Sequence, residues 1–317
     1  MTEIVSLDTT TPVAPGAPER LGEADLAALR AAITTLEKPS LAARLAGLAG
    51  APLDMIGRAL PEAVTDTVAQ AAEGAMRASL RAALATLPRG ATPADAAVPV
   101  PASPSLRARA LDLLGRYPPG DRGHKALAAL SGALGGALGI STLAVELPVS
   151  TTLMLRSIAE IAQREGEDLS TPEAALACMQ VFALSGRSGA ESKAVESGYF
   201  AVRAALAHAM SDAARYAAGR GLLDESAPAL ARFAAQIAAR FGLVVSQKAA
   251  AQAVPVVGAL GGAAVNTAFM DHFQSLARAH FTVRRLERRY GRETVRAAYE
   301  AERAALGLAP ESGRAAA

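Results

Sequence analysis

VPVVGALGGAAVNTAFMDHFQSLARAHFTVRRLERRY, residues Val254–Tyr290, is the stretch from which the fold can be worked out. It begins as a glycine-rich apolar segment, becomes polar at its middle and ends in a run of arginines. On a helix, residues spaced seven apart are rotated by only about 20° from one to the next. Four residues have this spacing: Asn266, Phe273, His280 and Glu287. We therefore predict a long helix that carries these four side chains on one largely apolar face.

The polar members of this face allow two interpretations, because buried polar groups require hydrogen-bond partners. In the first, the asparagine and histidine side chains bond neighbouring backbone groups inside a core. In the second, they line a polar pocket together with residues from other helices. The candidate pocket residues are Glu146, Arg156, Glu160, Asn266, Asp271, His272, His280, Arg284 and Glu287.

A hexapeptide, GALGGA, occurs twice, at residues 132–137 and 258–263. Each copy places glycines four apart, the spacing that lets two helix backbones approach closely. We predict that the two segments pack against each other as a quasi-symmetric pair. The alternative is a chance repeat in an alanine-rich chain. The packing glycines would be Gly132, Gly136, Gly258 and Gly262.

Composition indicates an all-α fold. Of the 317 residues, 51% are hydrophobic but only 4% are aromatic, and tryptophan is absent. Alanine and leucine are strong helix formers, whereas β-branched and aromatic residues favour strands. No stretch alternates convincingly with the two-residue period of a strand. We predict a multi-helix bundle with two central Gly/Ala-rich apolar helices.

Charge and cysteine content bound the partners and the compartment. The 32 basic and 30 acidic residues give a net charge of +2, which indicates no nucleic acid or other polyanionic partner. The single cysteine, Cys178, rules out an internal disulfide and fits a reducing compartment. The N-terminus has neither the basic start nor the apolar run of a signal peptide. We expect a cytoplasmic protein, at most peripheral to the inner face of the membrane.

The chain divides by composition into five parts. We expect a disordered tail at 1–20, an N-terminal helical region at 21–87, a Pro/Ala-rich linker or loop at 88–105, the main helical domain at 106–307 and a second disordered tail at 308–317.

Local patterns in the main domain predict helix ends and contacts. Pro148 favours the first turn of a helix, which would place Glu146 immediately before that helix. Thr171 has the character of an N-cap for the next helix. Arg156 and Glu160, four residues apart, can pair on one helix face.

Two uncharged runs, residues 126–145 and 249–270, are long enough to cross a membrane. Glycines, hydroxyl residues, Pro255 and Asn266 oppose insertion. We therefore predict buried helices of a soluble domain, with peripheral membrane contact as the alternative. The basic run Arg284–Arg289 is interpreted first as a solvated face and second as a contact for anionic lipid head groups.

Known catalytic signatures are missing from the chain. It contains no phosphate-binding loop, no H-E-x-x-H or C-x-x-C motif and no G-x-S-x-G elbow. His272 and His280 lie about 80° apart around a helix, a poor spacing for two metal ligands. A metal site would need carboxylates such as Glu146, Glu160 or Asp271. We predict no cofactor and no metal.

Three segments resemble the EcsC protein family: VELPVSTTLMLRSIAEIA (Val145–Ala162), AESKAVESGYFAVRAAL (Ala190–Leu206) and the opening stretch extended to Gly291. The resemblance covers about residues 106–307. It implies an α-helical bacterial protein associated with membrane or export processes, and it carries over no catalytic residue.

Three hypotheses about function follow. The first is a non-enzymatic helical protein that docks on a membrane surface or a membrane transporter through the glycine-rich helices and the basic run at 284–289. The second is a hydrolase or metal-dependent enzyme that uses the polar pocket. The third is a carrier of lipid or another small molecule in an apolar cavity between the two GALGGA helices. The sequence specifies no substrate and no oligomeric state.

Overall fold

The computed structural model describes residues 21–37, 41, 62–85, 143–185, 198–220, 228–252 and 259–308. Within these ranges the chain forms helices and no strand, which confirms the all-α prediction. The helices are α1 (Glu23–Glu37), α2 (Glu62–Ala85), α3 (Leu143–Arg164), α4 (Pro172–Leu184), α5 (Gly198–Arg220), α6 (Pro228–Gln252), α7 (Ala259–Tyr290) and α8 (Arg292–Ala305).

Local chemistry explains several helix ends. The hydroxyl of Thr171 accepts a hydrogen bond from the backbone N–H of Ala174 at 3.3 Å, so Thr171 is the N-cap of α4, as predicted. Gly291 separates α7 from α8 with a φ of 86°, a left-handed conformation that favours glycine. This one residue ends the long central helix and allows α8 to begin immediately.

The predicted start of α3 is wrong. The helix begins at Leu143, so Glu146 lies inside it and Pro148 is an internal residue. Pro148 is the sixth residue of the helix and has no N–H to donate to the carbonyl four residues before it, so this turn lacks one intrahelical bond. The hydroxyls of Ser150 and Thr151 donate to the carbonyl of Leu147 at 3.1 and 2.5 Å, which adds bonds to the turn that contains the proline.

The long helix α7 lies at the centre of the described structure. It packs against α1, α3, α4, α6 and α8, while α2 packs mainly against α3 and α6. Buried apolar residues of all eight helices form one hydrophobic cluster. The N-terminal region therefore shares its core with the main domain. The predicted linker at 88–105, the tail at 1–20 and all of the tail at 308–317 except Leu308 lie outside the described residues. The GALGGA segment at 132–137 and Gly258 also lie outside them, so the predicted pairing of the two repeats stays a prediction.

Four phenylalanines join α4, α6 and α7. The ring centroids of Phe182 and Phe241 are 5.2 Å apart, and those of Phe182 and Phe273 are 5.3 Å apart. Phe269 completes the group, 5.2 Å from Phe273. All four side chains are fully buried, in edge-on or tilted arrangements that suit the charge distribution of aromatic rings. Because the chain has only seven phenylalanines, this cluster holds most of that residue type at one junction.

Replacing Phe273 by alanine is expected to lower the free energy of unfolding by about 3–5 kcal/mol, because it removes a buried ring and leaves a cavity. Urea denaturation followed by circular dichroism would measure the loss. The control Phe273→Leu keeps most of the volume and should cost clearly less. An alanine variant as stable as the wild type would contradict the central position assigned to this ring.

Candidate functional site

The inward face of α7 carries polar as well as apolar side chains along its length. Phe273 and His280 have no exposed surface, and Asn266 is almost completely buried. Two further buried polar residues, His272 and Gln274, point from other sides of the same helix. The amide nitrogen of Gln274 lies 2.9 Å from the hydroxyl of Ser157 on α3. The central helix is thus held by specific polar contacts in addition to apolar packing.

A connected polar network lies between α5 and α7. Arg203 donates to both carboxylate oxygens of Glu287, at 2.7 and 2.9 Å, in the parallel two-bond geometry that guanidinium and carboxylate groups favour. The same guanidinium donates to the hydroxyl of Tyr199 at 3.2 Å. That hydroxyl lies 3.0 Å from Nδ1 of His280. The network contains these four residues, and we call it the α5–α7 network.

The protonation state of His280 follows from its burial and from the charges around it. Arg203 can only donate, so the oxygen of Tyr199 accepts there and its proton is available for Nδ1. When the phenol donates to Nδ1, the neutral ring carries its proton on Nε2, an atom that has no hydrogen-bond partner among the described residues. Burial, followed by the charges of Arg203 and Arg284, holds the pKa of His280 well below its ordinary value of 6.5. His280 is therefore neutral at physiological pH.

The other members of the network keep their ordinary protonation states beside this neutral histidine. Burial raises the pKa of Tyr199 to about 12, so the phenol keeps its proton. Burial opposes the charge of Arg203, but Tyr199 and Glu287 outweigh it and the pKa of the guanidinium is raised. The side chains of Arg203 and Glu287 are only 17% and 9% exposed. Apart from Nε2 of His280, these buried groups satisfy one another, and the arrangement is that of a structural contact between α5 and α7.

The arginine run at the end of α7 forms a second polar cluster, with carboxylates from α1 and from the loop between α3 and α4. Arg284 donates to both oxygens of Glu167, at 2.8 and 3.0 Å, and Arg288 pairs with the same carboxylate. Arg285 reaches Glu165 at 2.9 Å. The hydrogen bonds and charges of the arginines outweigh burial and hold the pKa of Glu167 below its ordinary value. Each of these pairs ties α7 to the loop.

Asp25 on α1 likewise pairs with arginines at the end of α7. Arg285 and Arg289 lie 3.2 and 3.0 Å from its two oxygens, and the hydroxyl of Tyr290 donates to it at 2.8 Å. The bond from Tyr290, with help from both arginines, lowers the pKa of this carboxyl. We name the cluster of Asp25, the loop glutamates and the arginines the arginine clamp.

The arginine clamp changes the interpretation of the basic run at 284–289. That run was expected to be a solvated face, but Arg284, Arg285, Arg288 and Arg289 all pair with carboxylates from distant parts of the chain. The reason is tertiary: Asp25, Glu165 and Glu167 are separated from their partners by more than 100 residues, so no local pattern reveals them. The charge of this segment is largely neutralised within the protein.

The remaining candidate pocket residues lie elsewhere on α3 and α7. Arg156 is exposed, and Glu160 lies 3.7 Å from Arg164, one turn further along α3. Asp271 is half-buried. The side chain of Glu146 lies outside the described residues, although its backbone is in the first turns of α3. The α5–α7 network and the arginine clamp therefore contain only three of the nine: His280, Arg284 and Glu287.

Neither metal chemistry nor thiol chemistry finds a site in the part of the chain that the structure describes. No group of three or more His, Cys, Asp or Glu side chains there has the spacing to hold a metal ion. Burial raises the pKa of the Cys178 thiol to about 12, so the reactive thiolate does not form near neutral pH.

A different surface feature lies between α2 and α6. A groove of about 420 Å³ separates the exposed sides of the two helices. Its lining residues are mostly small and apolar: Val68, Ala69, Glu73, Ala235, Ala238, Ala239, Gly242, Leu243 and Ser246. Leu243, at its edge, is 49% exposed, the highest value for a large apolar residue among those described. Sequence reasoning did not find this groove, because it depends on how two helices 170 positions apart meet.

Glycine brings the walls of the α2–α6 groove together. A Cβ placed on Gly242 would lie 3.9 Å from the Cβ of Ala72 on α2. This is ordinary van der Waals contact, so the two helices meet closely at the floor of the groove. Their other facing side chains are too small to fill the space above.

Replacing Arg203 by leucine is expected to lower the free energy of unfolding by about 3 kcal/mol, because Glu287 is left as an uncompensated, largely buried charge. The double variant Arg203→Leu/Glu287→Leu should lose less than the sum of the single variants. Urea denaturation of all three would measure this coupling. The matched control is Arg77→Leu, which breaks the exposed pair with Glu73 (63% and 50% exposed) and should cost about 0.5 kcal/mol or less. Equal losses of stability from Arg203→Leu and Arg77→Leu would contradict the structural role assigned to the α5–α7 network.

Stability is expected to fall as the pH drops below 6.5, because the unfolded chain then protonates His280 and the folded chain does not. The contribution of neutral His280 to the free energy of unfolding is fully present above the ordinary pKa of 6.5. It is lost as the pH falls toward the lower folded-state pKa, and the free energy then changes by at most about 1.4 kcal/mol per pH unit. His280→Gln should flatten this slope between pH 6.5 and the range where carboxylates titrate. His208→Gln, at a side chain 90% exposed, is the control and should leave it unchanged. A wild-type stability independent of pH in this window would refute the assignment.

Comparison with known proteins places the chain in a family. The sequence model of the EcsC protein family matches residues 23–286, which is most of the chain. The match begins at α1, well before the 106–307 region in which the resemblance was first noted. No curated protein and no solved structure matches the chain. The chain therefore belongs to the EcsC protein family.

Proposed function

We propose that this protein is a non-enzymatic helical protein that associates peripherally with a membrane, on its cytoplasmic face, and that the exposed side of α6 makes the contact. The observation that carries the proposal is the character of this helix. Pro228–Ala249 is long and apolar enough to cross a membrane by length and composition, yet only 44% of its most apolar window is buried. Exposed apolar surface of this kind marks interaction sites with proteins or membranes.

The charges of α6 support a membrane surface as the partner. Its 25 residues include no aspartate or glutamate, and its three basic residues are Arg232, Arg240 and Lys248. Lys248 is buried against the ring of Phe269, whereas Arg232 is exposed and Arg240 half-buried. Arginine side chains next to apolar surface can keep their charged ends in the head-group layer while the helix face enters the lipid.

The arginine clamp supports α6 over the basic run at 284–289 as the contact. Arginines that already pair with Asp25, Glu165 and Glu167 offer little attraction to anionic head groups, because the charges they would neutralise are balanced within the protein. A membrane transport or export system, which the family resemblance implied as the setting, would supply the membrane on which the protein docks.

The enzyme hypothesis has less support. The histidine and tyrosine of the α5–α7 network are fully buried, and a general acid or base must come within hydrogen-bond reach of its substrate. Their hydrogen bonds to each other and to Arg203 fit a structural role. No second function is therefore proposed.

Because the chain contains no tryptophan, a single introduced tryptophan can report on the surroundings of one position. The variant Leu243→Trp places the only tryptophan of the chain on the exposed side of α6. We expect its fluorescence emission to shift to the blue when vesicles of phosphatidylethanolamine and phosphatidylglycerol are added, because the indole moves from water into the lipid. Brominated acyl chains in the same vesicles should quench it.

Leu306→Trp provides the matched control, since Leu306 is also a large exposed apolar residue (41%) but lies beyond α8. Its emission should not change on addition of vesicles. Arg289→Ala, in the arginine clamp, should leave the response of the Leu243→Trp reporter unchanged. A reporter at 243 that stays water-exposed at saturating lipid, in protein that does not float with vesicles, would refute the proposal.

A further inference from the structure

The α2–α6 groove has the dimensions of a ligand site. Its volume of about 420 Å³ lies within the range of roughly 300–1,000 Å³ that is typical of small-molecule pockets. Five of its nine lining residues are alanine or glycine: Ala69, Ala235, Ala238, Ala239 and Gly242. The space exists because these side chains are small, and Leu243 borders it at the exposed edge.

The polar groups of the groove are already used within their own helices. The hydroxyl of Ser246 donates to the carbonyl of Gly242 at 2.9 Å. The carboxylate of Glu73 pairs with Arg77 at 2.5 Å, one turn further along α2. A polar ligand would therefore lose its hydrogen bonds to water and find few replacements here. An apolar chain loses none, so the groove favours a hydrocarbon ligand.

The charge near the groove favours a hydrocarbon ligand with a negative end. Arg232 precedes Ala235 by three residues, so both lie on the same side of α6. Its Nε donates to the carbonyl of Pro228 at 3.2 Å, which holds the exposed guanidinium against the first turn of the helix. No acidic residue on α6 offsets this charge, and the one acidic side chain in the groove wall, Glu73, is neutralised by Arg77.

We infer that the α2–α6 groove binds a single acyl chain of an anionic membrane lipid, with the head group at the Arg232 end of α6. The inference rests on the proposed function, because α6 would bring the groove to the lipid surface. It adds a defined binding site to what is otherwise a general apolar contact. A chain drawn from the bilayer would lie along the small side chains, with Leu243 covering its outer side.

The experiment uses the full chain and spin-labelled stearate below its micelle concentration, without vesicles. Electron paramagnetic resonance should show an immobilised signal that saturates at one stearate per chain. Ala239→Phe fills the groove from an exposed position and should weaken binding about tenfold or more, since an occupied site admits no second chain. Ala235→Phe, on the same wall, is a second variant with the same expectation. Ala207→Phe adds the same ring at an exposed position of α5 and should bind like the wild type.

A head-group comparison tests the charge assignment. A spin-labelled amphiphile of the same length with a trimethylammonium end should bind more weakly than stearate. Arg232→Glu should lower the affinity for stearate by about two- to fivefold, the size of an exposed ion pair. Equal binding of both amphiphiles in wild type and variant would overturn the anionic preference.

The outcomes separate this inference from the proposed function. If the tryptophan at 243 enters vesicles but stearate never shows a saturable immobilised signal, the groove is not a lipid site and membrane association stands. If both groove-filling variants bind stearate like the wild type, the inference also fails. Saturable stearate binding that both variants remove, in a protein that ignores vesicles, would uphold the groove and refute the membrane proposal.

Discussion

The bidentate pair between Arg203 and Glu287 is the interaction on which the rest of the structure depends. It joins α5 to α7 beneath fully buried aromatic and imidazole rings. Two opposite charges with little contact with water are stable only when each satisfies the other, so their geometry leaves little freedom. His280 and Tyr199 fit beside the pair because one is kept neutral and the other protonated. A central helix with this polar face can pack in only one rotation, since any other would leave a charge buried alone.

The arginine clamp extends the same principle to the end of α7. The last two turns of α7, a helix of 32 residues, bury Leu286 in the apolar core and also carry four arginines that would form a dense positive patch. Carboxylates from α1 and the α3–α4 loop neutralise that patch and fix both elements to the central helix. The exposed side of α6, in contrast to this cluster, carries no acidic residue.

Much of the fold could be read from local patterns. Leu26, Leu29, Ile33 and Leu36 have helical spacing that corresponds to α1, and the last three of these side chains have no or almost no exposed surface. The Thr171 cap and the seven-residue repeat of α7 are equally local. The start of α3 was predicted wrongly because proline is favoured at the first helical position but also occurs inside helices, as Pro148 does here. Glu167 and Asp25 could not be recognised as partners of arginines, because an acidic residue in a loop or a first turn has the same appearance whether it is solvated or paired.

By itself, the sequence determined that the chain is helical, that a long amphipathic helix with an inward polar face organises it, and which family it resembles. These properties depend on propensity and periodicity, which act over a few neighbouring residues. Only the tertiary structure decided which charges neutralise one another and where apolar surface remains exposed. Both depend on contacts between residues far apart in the chain: Tyr199 with His280, Asp25 with Arg285, and the small side chains of α2 with those of α6. Such contacts follow from packing, and no spacing within one helix encodes them.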